Sequence, residues 1–267
     1  MLLNYINWNV DPEIFRVGSF AVRWYGLLFA ASFFFGYLIM LKIFKKENIP
    51  VPVLDTLTTY MVIGTVVGAR LGHCLFYEPS FYLSHPIEIL KVWEGGLASH
   101  GAAVGIIITI IIFGRVKKLP FLWIMDRVVI VVALSGLFIR LGNLMNSEIF
   151  GYPTLVPWGF KFLRAAHPQD IDPRHPTQLY EGLSYLIIFI FLFWYYFKKN
   201  GKPIQGMIFG MFLMMVFGMR FLIEFFKEPQ ESFEKSMILN LGQLLSIPLI
   251  LAGAYLVYRA RKLIRDA

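Results

Sequence analysis

Three arginines sit where arginine is least expected. Arg70, Arg140 and Arg220 fall inside apolar runs of membrane-spanning length, and each lies eight residues before a glutamate, Glu78, Glu148 and Glu228. An ionisable side chain at that depth costs on the order of 3 kcal/mol or more, so it marks a functional site by default. Eight helical residues rise roughly 12 Å, which sets the three guanidinium groups at one level below the glutamates. His100 and Tyr25 reach a similar depth from the opposite direction of travel, so five helices bring polar groups to one layer. The arginines outnumber the acids at that level, and guanidinium forks match phosphate oxygens in a way lysine does not. The layer reads as a site for a phosphate. On helical spacing Gly136, Arg140, Asn143 and Ser147 share one face, and Glu224 stands one turn after Arg220, where it can orient that guanidinium. His100, with an unperturbed pKa near 6.5, is the side chain able to move protons without large tuning.

The composition says what must hold these residues. The 267 residues are 57% hydrophobic and 17% aromatic, only 16% are charged, and the mean hydropathy is +0.63. A soluble domain cannot hide that much apolar surface, which makes the chain an all-α integral membrane protein. Seven apolar segments are each long enough to cross a bilayer, at about 20–41, 54–77, 95–114, 121–146, 179–197, 204–226 and 238–258. Together they form a single polytopic membrane domain over residues 1–267.

Net charge is +8, and loop topology accounts for it better than a nucleic-acid partner does. Thirteen of the 25 Lys and Arg fall in one set of loops, around residues 42–46, 115–118, 198–202 and 259–265, against eight spread over the longer loops of the other side. By the positive-inside rule the N-terminus is outside and the C-terminus cytoplasmic. The single cysteine, Cys74, excludes an internal disulfide or a cysteine-based metal site and reads as helix packing. Asp11 and Glu13 ahead of the first apolar run argue against a cleavable signal peptide.

Between Asn146 and Gln178 runs the longest polar segment, rich in proline, and residues 147–178 are expected to form an extracytoplasmic loop or lid between the fourth and fifth helices. Thr177 reads as the N-cap of the fifth helix with Glu181 near its positive end. Trp158 and Tyr152 suit the headgroup region. Arg127, beside Asp126, is expected to snorkel to the cytoplasmic surface, and Asn240 with Gln243 to bond between helices.

With these residues in view the chain resembles the prolipoprotein diacylglyceryl transferases over nearly its whole length. The motifs are Val-Arg-Trp-Tyr-Gly (22–26), Gly-Ala-Arg-Leu-Gly (68–72), Trp-Glu-Gly-Gly-Leu-Ala-Ser-His-Gly (93–101), Arg-Leu-Gly-Asn-Leu-Met-Asn-Ser-Glu-Ile-Phe-Gly (140–151), His-Pro-Thr-Gln-Leu-Tyr-Glu (175–181) and Arg-Phe-Leu-Ile-Glu-Phe-Phe-Lys-Glu-Pro (220–229). The 140–151 block is close to a family fingerprint. The resemblance implies functional roles for Tyr25, His100, Asp126, Arg140, Asn143, Gly151, Arg220 and Glu224. Joined to the layer reading, this assigns catalysis to His100, Arg140 and Arg220, substrate contacts to Arg140, Asn143, Tyr25, Arg70, Gly151 and Glu224, and support to Asp126, Asn146 and Glu148. It implies phosphatidylglycerol and a prolipoprotein signal peptide with a lipobox cysteine as substrates, and the bacterial inner membrane as location. The sn-1,2-diacylglyceryl group would pass to the thiol as a thioether, leaving glycerol phosphate, with no metal and no cofactor. This chain departs from the family at Val216, where a tyrosine is usual, and at Ala102, where a second glycine is common. The different-class alternative is a transporter or channel for an anionic solute, against which the charges cluster toward one face without half-to-half symmetry. The orientation is checked by thiol labelling of Lys117→Cys and Ala165→Cys in a Cys74→Ser chain: position 117 should label from the cytoplasm and 165 from outside.

Overall fold

A computed structural model describes residues 5–18, 20–92, 95–165, 172–228 and 237–266. Trp93 and Glu94 of the histidine motif, Pro168 of the long loop, Pro229 and Lys235 lie outside the described residues. Strands β1 (Ile6–Trp8), β2 (Glu13–Val17) and β3 (Phe20–Arg23) lead into α1 (Trp24–Lys46) and α2 (Val51–Phe76). A short α3 (Pro79–Ser84) and a 3-10 turn (Pro86–Leu90) precede α4 (Ser99–Lys117) and α5 (Phe121–Met145). Strand β4 (Phe160–Phe162) follows, then α6 (Thr177–Lys198), α7 (Met207–Ile223) and α8 (Leu241–Arg265). All the helices but α3 are long and apolar enough to cross a membrane, α7 counted with its 3-10 extension, which makes seven among the described residues. The chain divides into two compact units, Met40–Ile124 and the remainder, Met1–Ile39 with Met125–Ala267.

The helix ends differ from the expected spans for local reasons. Residues 20–23 are not helix: they pair antiparallel with β2, Val17 opposite Phe20 and Phe15 opposite Val22, after a turn at Gly18 (φ +60°). Gly95 and Gly96 sit at positive φ, which a right-handed helix cannot use, so α4 starts at Ser99. Gly206 at φ +89° does the same ahead of α7. Asn240 and Gln243 are mainly a capping box that opens α8, each side chain bonded to the other's backbone N–H, while Gln243 Nε2 also reaches Phe221 O of α7 at 3.4 Å. Thr177 is not a cap. It is the first residue of α6, and its hydroxyl donates to Ile149 O at 3.1 Å. Nor does Arg127 snorkel: it is buried, with its guanidinium 5.9 Å from the Tyr196 ring.

In the first unit, the segment expected as a loop carries a small core of its own. Strand β4 pairs in parallel with β1, Ile6 opposite Phe160 and Trp8 opposite Phe162. Leu144, Phe160 and Phe162 pack with Trp8, Phe150 and Leu179, and Trp8 Nε1 donates to Leu144 O at 2.9 Å. Arg164 closes the N-terminal side on Asp11 at 2.8 Å. Trp158 and Tyr152 remain largely exposed, Trp158 donating to the Tyr180 hydroxyl at 2.8 Å. Helices α7 and α8 meet at Gly210 and Gly253, where a Cβ on either would come within 2.8 Å of the other's carbonyl oxygen.

In the second unit, α2 and α4 run together along small residues: Gly64, Gly68 and Gly72 face Gly101, Gly105 and Thr109. With no hydrophobic gain between helices in lipid, such backbone contact supplies the packing. Cys74 is fully buried on α2. A side chain at Gly105 would run into the Gly64 carbonyl and come 2.9 Å from Gly68 Cα. Gly105→Val should therefore destabilise the protein by about 2 kcal/mol, as overpacked contacts do. Gly26→Ala, with open space around it, should leave the melting transition of the purified protein nearly unchanged.

Candidate functional site

The site grows from the face that α5 turns to α6. Gly136 lies under the Tyr185 ring, 2.6 Å from where its own Cβ would stand. One turn on, Arg140 meets Glu181, which is fully buried at 0% exposure. Arg140 Nε is 2.6 Å from Glu181 Oε2, an ion pair whose N–H is not aligned for a hydrogen bond, and Nη2 donates to Oε1 at 3.4 Å. On its other side Arg140 Nη1 donates to Asn143 Oδ1 at 3.0 Å. Asn143 Nδ2 and Asn146 Nδ2 both donate to Glu148 Oε1, at 2.9 and 3.1 Å. A chain of bonds thus runs from a buried carboxylate through Arg140 to Glu148.

Past Met145 the backbone makes this arrangement possible. Ser147 and Ile149 hold positive φ, +53° and +60°, and Gln178 Nε2 anchors the turn on Glu148 O at 2.7 Å. Ser147 is buried there with its hydroxyl unbonded. Tyr25, second residue of α1, lays its ring over Gly142, whose Cβ would come within 2.7 Å of it, and its hydroxyl feels the charges of Glu148 and Arg140. A mostly apolar cavity of about 390 Å3 opens beside Tyr25, bounded by Val22, Leu27 and Asn146.

The second arginine stands differently from its expected pairing. Glu224 does not hold Arg220. Its Oε2 lies 3.6 Å from the Lys227 ammonium, and its carboxylate fills the space that a side chain at Gly242 would need. Lys227 is itself 4% exposed and 3.6 Å from Glu181 Oε1. Burial depresses its pKa below the ordinary lysine value, with Arg140 and Arg220 pushing the same way and the two glutamates opposing. Arg220, half-buried, acts on both Lys227 and Tyr185 through its charge. Among the described residues no hydrogen bond or ion pair occupies its guanidinium. One arginine is anchored and one keeps its donors.

Glu181 and Lys227 were missed in the sequence. Glu181 passed for an ordinary acid at a helix start and Lys227 for a loop charge. The available signal was that Glu181 lies four residues into a membrane span, where a carboxylate needs a partner.

Three expected site residues have other partners. Gly151 carries no visible ligand chemistry: it is the crossing point of three chain segments. Its N–H donates to His175 O at 2.9 Å, it bridges Lys227, and a Cβ would meet the Phe226 carbonyl and come 2.8 Å from Thr177. Asp126, fully buried, accepts from Gly206 N and Phe209 N at 2.7 and 2.8 Å, capping α7 from α5. Arg70 belongs to the second unit and spends its donors on backbone carbonyls there: Ile89 at 3.0 Å, Gly95 at 2.7 Å, Gly96 at 3.3 Å, and Glu88. It is 4% exposed. His100, in the same unit, is exposed at the start of α4 beside the rings of Phe76 and Tyr77, at 5.6 and 5.8 Å.

The family model described as prolipoprotein diacylglyceryl transferase matches residues 12–259. The phosphatidylglycerol–prolipoprotein diacylglyceryl transferase of Tolumonas auensis is 50% identical over 256 residues, 96% of this chain and 97% of its own. That of Chloroherpeton thalassium is 45% identical, covering 97% and 96%, and that of Bordetella parapertussis 39%, covering 92% and 94%. With a match of this extent along both chains, this protein belongs to the prolipoprotein diacylglyceryl transferase family.

Proposed function

We propose that the chain transfers the sn-1,2-diacylglyceryl group of phosphatidylglycerol to the thiol of a lipobox cysteine in a prolipoprotein. The sulfur–carbon bond forms as the carbon–oxygen bond to the phosphate breaks. The thiol proton goes to a base, and glycerol phosphate leaves. Family membership and the relatives' names support the reaction and give none to a transporter. The observation that carries it to this chain is the pair of unlike arginines: Arg140 held by Glu181 and Asn143, and Arg220, whose guanidinium donors are unengaged among the described residues. As the diester becomes a monoester its negative charge grows, so donors fixed around it matter more in the transition state than in binding.

In this reading Arg140 and Arg220 hold the phosphate, with Asn143 and Tyr25 beside them. Glu181, Glu224 and Lys227 keep the cluster in place, and Glu148 and Asn146 end the chain of bonds. His100 takes the thiol proton, since thiolate is the competent nucleophile and a free cysteine ionises only near pH 8.5. The N-terminus and the 147–178 segment face the extracytoplasmic side of the bacterial inner membrane, and the C-terminus faces the cytoplasm. The positive charge of the short loops supports that orientation.

Purified protein incubated with phosphatidylglycerol and a lipobox peptide should add one diacylglyceryl mass to the peptide, and none to its Cys→Ser analogue. Arg140→Lys and Arg220→Lys should each remove most turnover while the protein still binds the lipid, because lysine keeps the charge and loses the planar fork. Near-normal transfer by either variant would make that arginine a structural counter-ion. His100→Asn should lose most at low pH and recover in part as pH rises, because the thiol then ionises unaided; a loss equal at every pH would give His100 a positioning role instead.

A further inference from the structure

Arg70 lies in a family motif, is buried in a membrane span, and finds its hydrogen-bond partners within the second unit. What it touches is one stretch of backbone. Its guanidinium donates to the carbonyls of Glu88, Ile89, Gly95 and Gly96 and lies 5.0 Å from the Tyr82 ring. Bonds from a charged donor are roughly twice as strong as neutral ones, and here they come from one planar group to both ends of a segment. That segment leads directly into α4. Ala98 N–H donates to Ala69 O at 2.9 Å, next to Arg70 in the chain, and two residues later comes His100.

The side chains continue the same path. Gly96, at φ +64°, packs so closely that a Cβ would stand 2.7 Å from Arg70 Nη1 and 2.6 Å from the His73 ring. His73 stacks on Tyr77 with centroids 5.6 Å apart and 19° between planes, and Tyr77 flanks the His100 ring. Backbone and aromatic contacts thus both lead from Arg70 to the imidazole, all within the second unit.

We propose that Arg70 is a positioning residue for His100: it pins the backbone at Glu88 and Ile89 and at Gly95 and Gly96, and through it the start of α4 and the Tyr77 wall that set where the imidazole stands. This rests on the reading of His100 as the base, and it takes Arg70 out of substrate binding. The test uses the full-length enzyme with Arg70→Lys, which keeps the charge but cannot span four carbonyls, and with Gly96→Ala, which disturbs the same pin from the other side. Each should lower kcat by about tenfold or more, since an ångström of misplacement costs on the order of a hundredfold, while KM for phosphatidylglycerol stays within about twofold. In a His100→Asn background the same substitutions should cost no more than about twofold, because residues acting as one unit are not additive. A higher KM at unchanged kcat would identify a substrate contact and overturn the proposal, as would full additive losses in the His100→Asn background. Amide hydrogen exchange separates the pin from the base. Arg70→Lys should speed exchange across residues 95–102 whether or not His100→Asn is inactive, and unchanged exchange there overturns the pin. An unperturbed rate in His100→Asn alone would instead remove the base assignment. Should Arg70→Lys fail to insert, Gly96→Ala carries the same outcomes.

Discussion

The Glu181 carboxylate is the constraint on which the first unit depends. It is fully buried in a helix long enough to span a bilayer, and its charge is balanced from two directions, by Arg140 of α5 and Lys227 beyond α7. Removing water from an ion costs several kcal/mol, and the attraction between partners repays it only when the geometry is tight and other groups complete the bonding. Here Asn143 extends the cluster outward, while Lys227 is shared with Glu224. Taking away one member leaves an uncompensated buried charge, so α5, α6 and the end of α7 are held by one electrostatic unit. Apolar packing in lipid gives little preference for one helix neighbour over another. The cluster supplies that preference.

Large polar side chains need room, and the chain makes it with glycine. Tyr185 lies over Gly136, Tyr25 over Gly142, the Glu224 carboxylate over Gly242 and the Arg70 guanidinium against Gly96. In each case a methyl group would occupy the place of the functional side chain. Gly151 does the same for backbone, letting the 226–227 segment approach closely enough to carry Lys227 into the cluster. The motifs are glycine-rich for this spatial reason as much as for helix contact. It explains why Arg-Leu-Gly recurs at 70–72 and 140–142 with unrelated surroundings: Gly72 meets Gly101 of α4, and Gly142 meets Tyr25.

Most of the architecture was legible from apolar runs alone, because a bilayer demands a length and a composition that few other environments do. The 20–23 strand was not, since three apolar residues and an arginine joined to a span cannot be told from its first turn without the pairing partner. The small core under Phe160 and Phe162 was hidden by the prolines and polar residues around it. At the site, the residue types and their shared face were readable, and Arg140 with Asn143 stands as helical spacing places them. Partnership was not readable. Glu224 is one turn from Arg220 in sequence, yet the 3-10 turn over Glu224–Phe226 carries it to Lys227. Arg70 matches the other two arginines in span and spacing, yet its environment is a ring of carbonyls. Spacing along one helix predicts which groups share a face, but the opposite face belongs to another part of the chain.

On the proposed function, the two arginines of the first unit divide one task. A guanidinium already bonded to Glu181 and Asn143 is fixed before any anion arrives, and fixed donors need no rearrangement as charge develops. The same bonding lowers its attraction for an anion, because much of its charge is already answered. Arg220 has the opposite balance: among the described residues it has no carboxylate of its own, so it is the one placed to attract an anion strongly. An acid beside each arginine would have made a stable, inert pair of ion pairs. Diverting Glu224 to Lys227 avoids this, and Lys227 in turn neutralises the two carboxylates nearest the cluster. On the proposed function, the lysine that spacing alone would assign to a loop is what leaves Arg220 open to a phosphate.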